Sequence, residues 1–181
     1  LTVLHQVNDA VAQKSHHLYK PMPSYRMSGG SRGASKTAGQ NHPGGVMVHY
    51  FFKEKPADSV EVKLSFHEMN GELIKEYSTK AKEKSDKFKI KEGGNRFVWN
   101  MRYADAKKFE GMILWAASMN GPKAIPGKYL VRMTIGDEVQ EEEFEILKDP
   151  RSPATEDDFR KQFTFLSEVR DKVTESHNAI T

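Results

Sequence analysis

Between Gly45 and Leu147, outside the Lys/Glu-rich stretch after Lys80 and the irregular segment Tyr103 to Lys123 that holds Trp115, apolar residues recur at every second position, and turn signals interrupt them about every ten residues. This is the period of a strand, because successive side chains of an extended chain point to opposite faces. Val46, Val48, Tyr50 and Phe52 alternate with Met47, His49 and Phe51, so a first strand is expected to be covered on both faces. Val60, Val62, Leu64 and Phe66 alternate with Glu61, Lys63, Ser65 and His67, which predicts one dry face and one wet face. Asn70-Gly71 then supplies the positive φ of a tight hairpin, returning Glu72 to Ser78 antiparallel. Phe88 and Ile90 predict a short strand after a Lys/Glu-rich loop. Phe97, Trp99 and Met101 form an aromatic strand face behind the turn Gly93-Gly94-Asn95. Tyr129, Val131, Met133 and Ile135 lead through Gly136-Asp137 into a last strand, with Phe144 and Ile146 inward and Glu141, Glu143 and Glu145 outward.

Six or seven short strands with no helix between them predict a mainly β fold, an immunoglobulin-like (fibronectin type III-like) antiparallel β-sandwich over 44–148. Residues 1–43 read as an N-terminal arm and linker. Val3, Leu4, Val7, Ala10 and Val11 predict a short helix, and Pro21 and Pro23 impose an extended path on Leu18 to Arg26. The Gly/Ser-rich stretch Ser28 to Gly45 reads as a flexible linker. Residues 149–181 read as a hinge, Asp149-Pro150-Arg151-Ser152-Pro153, followed by an amphipathic C-terminal α-helix. Thr155 is its expected N-cap, with Asp158 three residues on. Phe159, Phe163, Leu166, Val169 and Val173 make a narrow heptad-like stripe, which predicts a helix interface: self-association, or docking on a neighbouring helical segment.

The 181-residue chain holds 28 Lys+Arg, 25 Asp+Glu and no Cys. A disulfide scaffold is therefore excluded, and the redox compartment is left open. No apolar run approaches the ~18 residues of a membrane span, so none is expected. The chain opens on Leu1 and reads as a piece of a longer polypeptide. The first 45 residues carry Lys14, Lys20, Arg26, Arg32 and Lys36 against Asp9, a balance of +4 that leaves −1 for the remainder. Five cations so spread make no phosphate-binding cluster, and no nucleic-acid partner is expected.

The chemistry-bearing residues fall short of any catalytic constellation. There is no Gly-x-Ser-x-Gly elbow, no phosphate-cradling Gly-x-x-x-x-Gly-Lys loop and no His-Glu-x-x-His. Gly29-Gly30-Ser31-Arg32-Gly33 has no strand before it or helix behind it. His16-His17, His42 and His49 lack a suitably spaced carboxylate for a metal. Glu141, Glu142, Glu143 and Glu145 decorate one strand, whereas a glycosidase pair faces across a cleft. No catalytic residue, metal or cofactor is expected. Trp99, in register with Phe97 and Met101, reads as core. Trp115 and Tyr103 are the candidates for contact with a glycan or a partner.

Several stretches occur in a fixed order: Leu1-Thr2-Val3-Leu4-His5-Gln6, Leu18-Tyr19-Lys20-Pro21, Asn41-His42-Pro43-Gly44-Gly45-Val46-Met47-Val48-His49-Tyr50, Gly94-Asn95-Arg96-Phe97-Val98-Trp99-Asn100-Met101-Arg102, Pro126-Gly127-Lys128-Tyr129 and Lys148-Asp149-Pro150-Arg151. Together they resemble the C-terminal region of Bacteroidetes BNR-repeat or sortilin-type propeller proteins of the glycosyl-hydrolase kind. The portion from Gly94 to Tyr129 is also similar to the immunoglobulin-like repeat of flagellar hook-capping proteins. Where the family has Asn-Pro-Pro-Gly, this chain has Asn41-His42-Pro43-Gly44. The resemblance implies a non-catalytic accessory module of an exported protein, periplasmic or extracellular, with an N-terminal β-propeller of the same polypeptide as its partner. The hydrolase activity of that family belongs to the propeller, so no catalytic residue carries over. The alternative is a carbohydrate-binding module that presents exposed aromatics to polysaccharide.

Overall fold

The computed structural model describes residues 3–27, 37, 42–115 and 118–180. In chain order the elements are a single-turn helix α1 (Asp9–Ala12), then β1 (His16–Leu18), β2 (Ser24–Arg26), β3 (Val46–Phe52), β4 (Val62–Glu68) and β5 (Leu73–Ser78). There follow β6 (Gly93–Trp99), β7 (Gly127–Ile135), β8 (Glu138–Lys148) and the long helix α2 (Glu156–Asn178). Two sheets result. One has the order β1-β3-β6, all antiparallel; the other has the order β2-β8-β7-β4-β5, antiparallel except that β2 runs parallel to β8.

A single apolar core draws on both sheets. Val46, Val48, Tyr50 and Phe52 of β3 and Trp99 of β6 meet Val62, Leu64 and Phe66 of β4, Tyr129, Val131 and Met133 of β7, and Phe144 and Ile146 of β8. Trp99 has no exposed surface, and its indole stacks on Phe66 with centroids 4.4 Å apart and planes 15° apart. Phe144 meets the same indole edge-on at 6.0 Å. The Tyr129 hydroxyl donates to the carbonyl of Ile125 at 2.8 Å, which satisfies the one polar atom that this ring carries into the core.

The hairpins follow their turn residues. Gly71 stands at φ 88°, and the Asn70 side chain accepts from the Glu72 amide at 2.9 Å, closing the β4–β5 hairpin. Gly136 and Asp137 form the two-residue link between Ile135 and Glu138. Glu141 pairs with Arg132 across β7–β8, and Glu143 with Lys128 at 2.9 Å, so the acidic face of β8 is an outward ion-paired ladder.

Several expectations need correction. The expected N-terminal helix is broken into a 3₁₀ turn at Leu4–Gln6 and α1, because the Asn8 side chain accepts from the Val11 amide at 2.9 Å and starts a new turn. Phe88 enters the core without a strand; its neighbour Lys87 makes only an isolated bridge to Ser78. Gly93-Gly94-Asn95 is no turn but the start of β6, in register with Phe52, Phe51 and Tyr50. The outward face of β4 is not wet: His67 and Ser65 are buried, joined at 2.9 Å, and the other His67 nitrogen lies 3.1 Å from the Gly71 carbonyl. The outer face of β3 is only half-covered at Met47, His49 and Phe51.

The proline-bearing segment lies along the sandwich itself. β1 extends the three-stranded sheet and β2 the five-stranded one, with Pro21-Met22-Pro23 crossing between them. The Gln140 amide of β8 reaches back to β1, accepting from the Leu18 amide at 2.7 Å. Of Ser28 to Gly45, read as a linker, residues 28–36 and 38–41 lie outside the described residues. Because Trp99 fills the centre of the core, Trp99→Ala is expected to destabilise the fold by about 3–5 kcal/mol in urea unfolding followed by circular dichroism.

Candidate functional site

The candidate residues of the sequence converge on the segment after β6 and on α2. Met101, fully buried, adopts φ 61° two residues past the end of β6 at Trp99. That turn lets the Trp99 indole N–H donate to the Arg102 carbonyl at 3.1 Å. From there two limbs run side by side. The Ala124 amide donates to Met101 at 2.7 Å, the Tyr103 amide to Pro122 at 3.0 Å and the Ala106 amide to Met119 at 2.9 Å. Gly121 is required by this close approach, since a Cβ there would sit 2.4 Å from the carbonyls of Tyr103 and Ala104.

Tyr103 lies at the base of these limbs and Trp115 at their far end, so the structure does not bring the two together. The Tyr103 hydroxyl donates to Glu68, and its ring meets Phe163 of α2 edge-on at 4.7 Å. Burial raises the Glu68 carboxyl above its usual range, with the Glu72 charge adding to it. Trp115 is 90% exposed and Ile113 is 87% exposed, with Leu114 between them.

The C-terminal helix does not leave the sandwich. Arg151 grips Asp149 with two guanidinium nitrogens at 3.0 and 2.8 Å, and the Asp149 carboxyl is held down to about 2 by hydrogen bonds from the Arg151 side chain and backbone. Lys148 donates to the Ala154 carbonyl at 2.7 Å, and the chain turns back at this point. Thr155 and Asp158 form a reciprocal capping box. Phe159 is buried beneath the Arg26 guanidinium, 4.9 Å from the ring centroid. Further along, the Thr174 hydroxyl accepts from the Lys107 amide at 3.2 Å, and a His177 ring nitrogen lies 2.6 Å from the Lys107 carbonyl. The expected interface residues Phe159 and Phe163 thus pack on their own chain. Leu166 and Val169 stay 40% and 44% exposed, and Val173 is half-buried.

A groove of about 840 Å³ on the outer face of the three-stranded sheet was not anticipated. His49 and Phe51 of β3 form its floor, Leu4 and Val7 one wall, and Lys89 to Lys91 the other. Both walls are pinned by side-chain amides. Gln6 exchanges two hydrogen bonds of 2.9 Å with the Lys20 backbone, and Asn95 accepts from the Lys91 amide at 2.9 Å and donates to its carbonyl at 2.7 Å. The half-apolar alternation at Met47, His49 and Phe51 was the only sequence signal for this surface.

Among the described residues no group of three or more His, Cys, Asp or Glu is placed to hold a metal, and no helix is long and apolar enough to cross a membrane. No protein-family model matches the chain, and no curated protein matches it.

Burial lowers the pKa of His49, with the charge of Arg96 adding to it; burial also lowers that of His17, helped by Lys14 and His16. A depressed histidine binds fewer protons folded than unfolded, so its contribution is complete above the ordinary value of 6.5 and is lost as pH falls below it. Glu68 and Glu142, raised by burial, act in the opposite sense nearer to pH 4.5. Thermal unfolding between pH 7.5 and 5.5 is expected to show a falling melting temperature whose slope is smaller in His49→Gln.

Proposed function

We propose that this chain is a non-catalytic accessory module of a larger exported polypeptide, immunoglobulin-like in type, which docks against an N-terminal β-propeller of that same polypeptide. The exposed tip Ile113-Leu114-Trp115 carries the reading. Two large apolar side chains left almost fully in water, at the end of limbs that three backbone hydrogen bonds join to each other, mark a surface that another body covers. The basic, apolar groove on the three-stranded sheet is a second such surface. Glu141 and Glu143 are engaged with Arg132 and Lys128 on one outward face, an arrangement for solubility and not for acid–base work across a cleft.

The immunoglobulin-like type is supported by topology. In that fold's lettering, β1, β3 and β6 correspond to A, B and E, while β2, β8, β7, β4 and β5 correspond to A′, G, F, C and C′. The Tyr129 hydroxyl bonding four residues upstream, near the start of the F-like strand, is the tyrosine-corner arrangement, and Val131 stands two residues on, where antibody domains carry their second Cys. The exported location rests on the family resemblance.

The second reading, a carbohydrate-binding module, is favoured by the accessible ring of Trp115. Tyr103, engaged by Phe163 and Glu68, offers that reading no second stacking platform. Hydrogen exchange separates the two. Comparing the isolated chain with the full polypeptide, the accessory reading expects residues 112–115 to gain protection in the longer protein, and unchanged exchange there defeats it. Affinity electrophoresis on a polysaccharide panel tests the other: retardation that Trp115→Ala abolishes establishes glycan binding, and no retardation removes it.

A further inference from the structure

A seam of positive charge runs where β2, the limbs after β6 and α2 meet. Arg26 donates from Nε to the Ala124 carbonyl at 2.9 Å and from Nη2 to the Gln162 side chain at 3.1 Å. Lys123 donates to the Met27 carbonyl at 2.9 Å, and Arg102 to the Gly121 carbonyl at 2.8 Å. Arg102 and Lys123 are partners in an antiparallel bridge. All three side chains belong to half-buried residues, and none is ion-paired with a carboxylate among the described residues. Burial, then the charges of Arg26 and Arg102, lower the Lys123 pKa. A carbonyl satisfies a donor's hydrogen bond without cancelling its charge, so the three cations repel one another in a partly dry site.

Beside the seam lies a cleft of about 250 Å³ between α2 and the limbs. Arg102 lines it together with Pro122, Leu166 and Val169, and no carboxylate lines it among the described residues. Arg170, also on its edge, is paired with the adjacent Asp171 at 2.7 Å. The cleft is thus cationic at one end and apolar along the helix. Its volume falls below the roughly 300–1,000 Å³ of sites for drug-sized ligands.

We infer that this cleft binds a small organic carboxylate, its oxyanion held by Arg102 with Lys123 and Arg26 in the seam behind it, and its apolar part laid on Leu166, Val169 and Pro122. The planar guanidinium fork of Arg102 matches a carboxylate, and the incoming charge relieves the repulsion within the seam. The half-exposed stripe on α2 then serves as the wall of a site. This reading is independent of how the module docks in a larger protein.

Butyrate and inorganic sulfate, each titrated into the isotope-labelled chain at constant ionic strength with chloride as the balance, test it by amide chemical shifts. Saturable shifts at Gly121, Lys123 and Val169 are expected with butyrate, with sulfate weaker and confined to Gly121 and Lys123. Arg102→Gln is expected to weaken butyrate about tenfold, the scale of one charge-assisted hydrogen bond, and Lys123→Gln, which only lessens the positive field behind the cleft, by less. Val169→Ser is expected to weaken butyrate and leave sulfate unchanged. Arg102 also holds the Gly121 carbonyl, so the dispersion of the amide spectrum is checked first, and Val169→Ser decides the matter if Arg102→Gln unfolds. No saturable shift from butyrate, or shifts unaltered in the folded charge variants, overturns the site. Sulfate binding as tightly as butyrate overturns its assignment to an organic anion.

Discussion

The indole of Trp99 is the contact on which the rest of the molecule depends. Its face joins the sheets by stacking on Phe66, and its N–H fixes the Arg102 carbonyl just past the left-handed turn at Met101. The first contact sets the spacing of the two layers; the second sets where the chain goes after β6. Tyr103 and Arg102 are placed by that exit, and through Phe163 so is the long helix. One side chain therefore couples the core to every surface candidate on this end of the molecule. A left-handed non-glycine residue is an unfavourable local choice of about 1–2 kcal/mol, tolerated because burial of Met101 and the indole hydrogen bond both demand it.

Much of the fold was legible because strand periodicity and turn chemistry agree. Val46 to Phe52, Tyr129 to Ile135 and Phe144 to Ile146 sit inward and outward as their alternation predicts, and Asn70-Gly71 and Gly136-Asp137 close the hairpins they announce. The failures share a cause, which is that tertiary contacts override a local pattern. His67 looks like a solvent-facing residue until Ser65 and the Gly71 carbonyl occupy both of its nitrogens. Phe88 keeps strand spacing yet enters the core from a loop. Gly93-Gly94 carries turn residues yet pairs with Phe52 and Phe51, because the register of β3 extends that far.

The surfaces were less legible. Trp115 was singled out as an aromatic in an irregular loop, and its exposure follows from the limbs that raise it. Tyr103, equal to it in the sequence, is turned inward by Phe163 and Glu68, partners 60 residues downstream and 35 upstream. The heptad-like stripe of α2 predicts an interface, and two of its residues, Phe159 and Phe163, are taken up by Arg26 and Tyr103 of the same chain. Nothing in the spacing of Phe159, Phe163 and Leu166 distinguishes those two solutions. Arg26, Arg102 and Lys123 are scattered over nearly a hundred positions, and only the crossing of β2 with the later limbs assembles them.

The placement of β2 has a mechanical consequence. Ser24 to Arg26 run parallel to Ile146 to Lys148, one strand near the start of the described chain and the other just before the helix. Tension applied from the side preceding Ser24 and from the side following Lys148 pulls these neighbours in opposite directions along their common axis. Their hydrogen bonds lie across that axis, so they resist as a group in shear and do not open one at a time. Where the tension enters ahead of His16, the pairing of β1 with β3 shares the load with this one.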